Sequence, residues 1–421
     1  MRYGVLAALS LMAMIAYIQR SAFSVPLKEI GADLKLEDAT LWMGYIQSAW
    51  YLGYAIFQLP GGWVADRLGA RRGLLLFAFF SSLATTLTGF SFGYWGLFLT
   101  WALMGSFQAG VFPCTVKSIG AVFPEKERSR ASGLLACGML TGGAVGPWLT
   151  AKLLALFVKP AEMLDVDRWR FCLMLFGVPG VLWVIVYALG TSDAQFGKGS
   201  GAAAPTKKPF RWEKMLTSPP LILLCSQQFL RAAGMVFFLT WFPTFLVETR
   251  GVTTQESGTL TMYAGMAAMA GSLLGGFFSD WLFKTTGQKW LSRQGIAVLG
   301  MATCATLIVI SYFVSSITMA IGLISLGAFA ASFGGVSGYT VAIDFGGKHV
   351  ATVFGAMNMC GNFGAMLFPV TVGLVVTWTK NWNLALFIFA GLMAVDAVCW
   401  AMLNPSGTLF DDEEDKSHET T

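Results

Sequence analysis

Charge is scarce in this sequence: 28 Lys and Arg and 23 Asp and Glu make up 12% of 421 residues, while 55% are hydrophobic. A soluble globular chain carries about 25% charged residues, so a mean hydropathy of +0.63 at this length excludes that class. Histidine is scarcer still, with His349 and His418 alone. No Ser/His/Asp, Cys/His or Gly-rich phosphate-loop arrangement occurs, so the chain is not expected to be an enzyme and no cofactor is implied. The seven cysteines (Cys114, Cys137, Cys172, Cys225, Cys304, Cys360 and Cys399) fall inside apolar segments without disulfide or metal-ligand spacing and read as small packing residues, with no metal site. The formal net charge of +5 forms no basic stripe, which leaves nucleic acid out as a partner.

What the sequence has in abundance is long apolar runs. Windows of about 20 residues give twelve spans, beginning roughly at residues 4, 41, 73, 94, 131, 169, 219, 256, 294, 315, 351 and 382. The run from Val5 is too long, and followed by too many others, for a cleaved signal peptide, so it is read as a retained first span. An even number of spans puts both ends on one side. Lys and Arg sort 17 to the side of the loop after the second span and 7 to the other, which makes both termini cytoplasmic. The expected location is a cell membrane, the inner membrane if the source is bacterial.

Between Thr191 and Lys214 the apolar pattern stops in a basic, Gly-containing stretch that reads as a flexible linker. The expected organisation is a six-helix bundle over 1–190, a cytoplasmic linker over 191–216, a second six-helix bundle over 217–404 and a disordered acidic tail over 405–421. Internal repetition supports the split. Gly62-x-x-x-Asp66 recurs as Gly276-x-x-x-Asp280, and Gly133, Gly142 and Pro147 recur as Gly355, Gly364 and Pro369 at a constant offset of 222.

A charged turn between two long apolar runs reads Gly62-Trp63-Val64-Ala65-Asp66-Arg67-Leu68-Gly69-Ala70-Arg71-Arg72. Arg67, Arg71 and Arg72 hold a short loop at the cytoplasmic surface, and Asp66 is a carboxylate available to a helix N-terminus. This stretch resembles the signature loop of the major facilitator superfamily of transporters. The resemblance implies an all-α membrane protein of twelve helices in two pseudo-symmetric bundles, in which Asp66, Arg67, Arg71, Arg72 and the repeat residue Asp280 gate the cytoplasmic side.

Two ionisable groups lie deep within spans: Arg20 in the first and Arg231 about 18 Å into the seventh. The first and seventh spans are equivalent first helices of the two halves, which makes these arginines candidates to face one cavity and hold an organic anion by bidentate bonds. Lys117 is close enough to a span end to snorkel, and Asp396 is a lone carboxylate in the last span. Tyr51, Tyr54, Trp101, Tyr263 and Phe237 are candidate cavity walls.

A closer resemblance follows from Gly105-x-x-Gln108-Ala109-x-x-Phe112-Pro113, Arg168-Trp169-Arg170-Phe171, Trp241-Phe242-Pro243-Thr244-Phe245-Leu246 and Asn358-x-x-Gly361-Asn362-x-Gly364. These are similar to the anion:cation symporter family, which includes bacterial sugar-acid transporters, sialin and the vesicular glutamate transporters. It implies a monomeric secondary transporter of a small anionic substrate, a sugar acid or other carboxylate, in the lipid bilayer, with Arg20, Arg231, Gln19, Gln108, Trp101, Asn358 and Asn362 at the substrate site. Proton-coupled members carry carboxylates where this chain has Gln19 and Gln108, and many carry arginine where it has Trp101. An amide cannot cycle a proton, so a facilitator or exchanger is expected unless Asp396 or Asp344 has taken over that role. An organophosphate:phosphate type of exchanger and a non-transporting receptor on the same scaffold are the other readings. Cysteines introduced at Ser200 and Gly251 are expected to react with impermeant reagents from opposite sides of the membrane; reaction from one side would overturn the topology.

Overall fold

The breaks between helices fall where the residues cannot continue one. A computed structural model describes residues 2–158, 163, 166–196, 217–346 and 350–404, the side chains at 59, 63, 65, 66, 125–130, 343, 346, 350–352 and 354 excepted. Among these residues every regular element is helical. The first half comprises α1 (Arg2–Ser21), the short α2 (Leu27–Asp33), α3 (Ala39–Leu68), α4 (Ala70–Gly89), α5 (Gly93–Val122), α6 (Glu125–Leu156) and α7 (Arg168–Gly190). The second comprises α8 (Pro219–Met235), α9 (Phe237–Thr240), α10 (Phe242–Arg250), α11 (Thr254–Thr286), α12 (Ile296–Tyr312), α13 (Ile317–Gly335), α14 (Ser337–Gly346), α15 (Val350–Thr379) and α16 (Asn383–Met402).

Eleven helical segments among the described residues are long and apolar enough to cross a bilayer. The remaining expected span is α3, 30 residues long, whose Trp, Tyr, Gln and Gly residues dilute its apolar run. The seventh expected span is divided into α8, α9 and α10, with Pro243 in the first turn of α10, where its missing N–H costs no intrahelical bond. The charged turn after the second span is shorter than its composition implies. α3 continues through Arg67 to Leu68 and α4 begins at Ala70, so one residue separates them. That residue is Gly69 at φ +83°, a conformation that glycine alone adopts without strain. Arg71 and Arg72 therefore sit in the first turn of α4 rather than in a loop.

Packing divides the chain into two compact units. One contains Met1–Pro205, Val236–Met266 and Met366–Ala385; the other contains Thr206–Met235, Ala267–Ala365 and Leu386–Thr421. In the first unit α3 lies against α5 so closely that a Cβ on Gly105 would collide with the carbonyl oxygen of Trp50. In lipid, such small residues are what let helix backbones approach. Segments distant in sequence are tied into the same unit by Trp241 Nε1 donating to Pro369 O (3.1 Å), Ser48 Oγ donating to Met366 O (2.6 Å) and the Lys28–Glu248 ion pair. Parts of α15 and the α9–α10 segment thus belong to the same compact unit as the first six spans.

The Arg168-Trp169-Arg170 motif is a clamp on α2. Arg168 makes a two-bond fork with Glu29, while Arg170 pairs with Asp33 at 2.7 Å and donates to Ser91 O at 2.6 Å. Burial and the neighbouring Asp33 carboxyl raise Asp167 above the usual carboxylate range. The second unit is built on similar close approaches: Gly271 and Gly275 of α11 rest on the backbone of Phe329 and Phe333 in α13. All seven cysteines are free.

Because the α3–α5 contact leaves no room for a methyl group, Gly105→Ala is expected to destabilise the folded protein by roughly 1–3 kcal/mol through overpacking. Thermal unfolding in detergent measures this; an unchanged midpoint would show that α3 and α5 can separate freely.

Candidate functional site

Arg20 lies in the last turn of α1, two residues before the helix tightens into a 3₁₀ turn over Ala22–Ser24. Its guanidinium carbon sits 4.1 Å from the ring centre of Trp50, 4.6 Å from Tyr51 and 5.5 Å from Tyr17. Each such contact is worth about 0.5–2 kcal/mol, more as water is removed. Nε of Arg20 is buried without a hydrogen-bond partner. A guanidinium held by aromatic faces keeps its in-plane N–H groups available, which is the geometry that a carboxylate or phosphate requires.

Two cavities open beside Arg20. The larger, about 430 Å³ with part of it open to solvent, is lined by Tyr17, Trp50, Tyr54, Gln108 and Thr115 together with apolar side chains including Phe112 and Met139. The smaller, about 240 Å³, is lined by Phe23, Gln47, Tyr51, Trp101 and Thr240 among others. Trp101 stacks on Phe23 with ring centres 4.5 Å apart. Trp50 and Tyr17 were not among the wall residues read from the sequence. Their positions carry a usable signal, since Tyr17 is three residues before Arg20 on one helix and Trp50 four before Tyr54 on another, spacings that put each pair on one face. Of the walls that were read from the sequence, Tyr51, Tyr54 and Trp101 line these cavities. Tyr263 is exposed and Phe237 is packed among Phe238, Phe242, Phe245 and Phe368.

Gln19 and Gln108 form a bonded pair. Gln108 Nε2 donates to Gln19 Oε1 (3.3 Å) and to Ala16 O (3.2 Å), and Gln19 Nε2 donates to Phe176 O (3.0 Å) and to Ser82 Oγ (3.3 Å). Gln19 thereby joins α1, α4 and α7 behind Arg20, while Gln108 reaches the cavity wall.

Arg231 lies in the second unit. One Nη donates to Gln228 Oε1, three residues back on α8, and Nε is buried without a partner. Gly335 packs against its stem and Tyr339 lies 5.8 Å from the guanidinium carbon. Gln228 is in turn pressed by Gly361 of α15, and Asn362 Nδ2 donates to Asn358 O at 3.0 Å. The Asn-x-x-Gly-Asn pattern thus backs the side chain that orients Arg231. Lys117 is partly buried in α5, near that helix's end.

At the charged ends, Arg71 donates to Thr191 Oγ1 (2.9 Å) and Ala188 O (2.8 Å) and reaches Asp193, which Arg72 also binds. This fastens the start of α4 to the end of α7. The hydrogen bond from Arg72, followed by that from Arg71, holds the Asp193 carboxyl below the usual carboxylate range. A depressed carboxyl stabilises above its unfolded pKa, so this clamp loosens as pH falls through the lowered value. Asp280 pairs with Arg293 at 3.0 Å in the second unit, and Arg67 is exposed. The Asp66 side chain, expected to meet a helix N-terminus, lies outside the described residues.

Helices that span a membrane, an arginine held in an aromatic cavity and paired charged turns define a membrane transporter. Residues 9–291 match the Major Facilitator Superfamily, and the chain belongs to that family. Among curated proteins it is similar to a probable sulfoacetate transporter of Cupriavidus necator, 27% identical over 99% of this chain and 97% of the relative. It is also similar to a probable galactarate/D-glucarate transporter of Escherichia coli, 28% identical over 95% and 94%, and to a D-galactonate transporter of Escherichia coli O6:H1, 28% identical over 88% of each. Among solved structures it shares the fold of a bacterial homolog of the human lysosomal transporter Spinster, with a TM-score of 0.79 at 18% identity and 96% coverage of both chains.

The amide pair yields a direct test. An ionised carboxylate at position 108 would face two acceptors, Ala16 O and Gln19 Oε1, where an amide donates to both. Gln108→Glu is therefore expected to unfold at a lower temperature in alkaline than in acidic buffer, a difference absent from the parent. Equal shifts at both pH values would remove the donor role of Gln108.

Proposed function

We propose that this protein carries a small organic anion across a bacterial inner membrane by alternating access, with a carboxylate or sugar acid as substrate and both termini in the cytoplasm. The observation that carries the reading is Arg20: a permanent cation within a span, held by three aromatic faces, with an unpartnered Nε beside two cavities. A cation in that setting is costly unless a ligand's charge completes it. Arg231, with its own unpartnered Nε, is assigned the same role in the second unit. Relatives named for glucarate, galactarate, galactonate and sulfoacetate support an acid substrate. Trp101 and Gln108 are assigned to the substrate cavity, with Gln19, Asn358 and Asn362 behind the two arginines.

Counterflow into proteoliposomes tests this. Full-length protein loaded with D-glucarate, D-galactonate, D-glucuronate or sulfoacetate is expected to exchange at least one of them. Arg20→Gln and Arg231→Gln should each abolish that exchange, and Lys at either position should restore only part of it, because an ammonium lacks the planar fork. Exchange of glycerol 3-phosphate with none of the acids would reassign the chain to organophosphate transport. Undiminished exchange in both Gln variants would make the arginines structural.

A further inference from the structure

One ionisable group within the spans has no part in the chemistry above. Asp396, in the C-terminal half of α16, is fully buried, and neither carboxylate oxygen has a hydrogen-bond partner. Contacts within the second unit define the register of α16 on α8. Gly234 of α8 lies against Met393 of α16, and Gln227 and Trp400 meet at Gly338 of α14. As the number rises along α8 it falls along α16, so the two helices run antiparallel. The level one turn in from the Gly234–Met393 contact is occupied by Arg231 on one helix and Asp396 on the other.

Arg231 turns an Nη toward Gln228 and leaves both Asp396 oxygens without a hydrogen bond. Two thiols lie near Asp396, Cys304 of α12 and Cys399 on α16 itself. Trp400 Nε1, Gln227 Oε1 and Ser337 Oγ are likewise buried and unpartnered. Asp344, the second carboxylate considered for this role, is exposed.

We propose that Asp396 carries the proton that travels with the transported anion. A buried guanidinium requires a counter-charge, and two carboxylates at one cation leave an excess negative charge that is also costly in a low-dielectric interior. With Arg231 empty, ionised Asp396 is that counter-charge. When a substrate carboxylate takes the donors of Arg231, Asp396 accepts a proton on a carboxylate oxygen and becomes neutral. Departure of the anion reverses the step, so anion and proton leave together. The amides at Gln19 and Gln108 are then no obstacle to coupling, because the titrating group stands in the second unit. This inference rests on the anion-transport reading and specifies its driving ion.

The test uses full-length protein and whichever of the four acids named above shows counterflow. In proteoliposomes an inside-alkaline gradient is expected to drive that acid above equilibrium, and purified protein in weak buffer is expected to take up a proton from a pH indicator as the acid binds. Asp396→Asn should exchange the acid more slowly, without pH dependence, without uphill accumulation and without proton uptake, while Asp396→Glu should retain gradient-driven uptake. Counterflow in the parent with neither accumulation nor proton uptake refutes the inference and leaves the transport reading standing, and so does accumulation that survives in Asp396→Asn. Absence of counterflow with every acid removes the transport reading and this inference together. If Asp396→Asn does not insert, proton uptake by the parent decides.

Discussion

A guanidinium placed inside a bilayer must be surrounded by something that tolerates its charge without water, and much of this protein is arranged around that constraint. Arg20 meets it with the faces of Tyr17, Trp50 and Tyr51. Aromatic quadrupoles stabilise the cation while leaving its hydrogen-bonding plane free, which a carboxylate partner would have occupied. The aromatic wall in turn depends on Gly105, whose lack of a side chain lets α5 approach the backbone of Trp50, and on Gln19, which joins α1 to α4 and α7.

Arginines at the ends of spans are handled in the opposite way. Arg71 and Arg72 share Asp193, Arg168 is forked onto Glu29, and Arg170 and Arg293 each make a single bond, to Asp33 and Asp280 respectively. Each of these has a carboxylate, and the groups are partly exposed, so the pairs work as fasteners between helix ends rather than as sites awaiting a ligand. Exposed pairs of this kind contribute little stability individually. What distinguishes Arg20 and Arg231 is therefore an unpartnered Nε within a span, together with a neighbouring cavity for Arg20 and a facing carboxylate for Arg231.

Two amides at Gln19 and Gln108, where related transporters have carboxylates, read from sequence as a loss of proton coupling. In the structure these amides have a positive role: they donate and accept in a chain that carboxylates could not reproduce when ionised. The register of α8 on α16 supplies a different carboxylate, because the positions facing Gln227, Arg231 and Gly234 are Trp400, Asp396 and Met393.

Hydrophobic length, the bias of Lys and Arg between loops and the repeated Gly-x-x-x-Asp pattern determined the helical membrane class, the span boundaries and the two charged turns. Such features are local, depending on transfer of contiguous residues from water to lipid and on charge near the interface. The deep arginines were legible for the same reason, since a charge inside an apolar run stands out without any knowledge of its surroundings. That Tyr17 and Trp50 join Tyr51 around Arg20 was decided by packing. Tyr17 and Trp50 are 33 residues apart and are brought together by helix packing that small residues permit. Nor did the sequence indicate that Gln19 and Gln108 bond to each other, that Gly69 alone separates α3 from α4, or that α9 and α10 pack with the first unit through Trp241. Asp396 shows the difference most plainly: its charge is visible in the chain, but its relation to Arg231 depends on the axial register of two helices, which van der Waals contact between distant side chains decides.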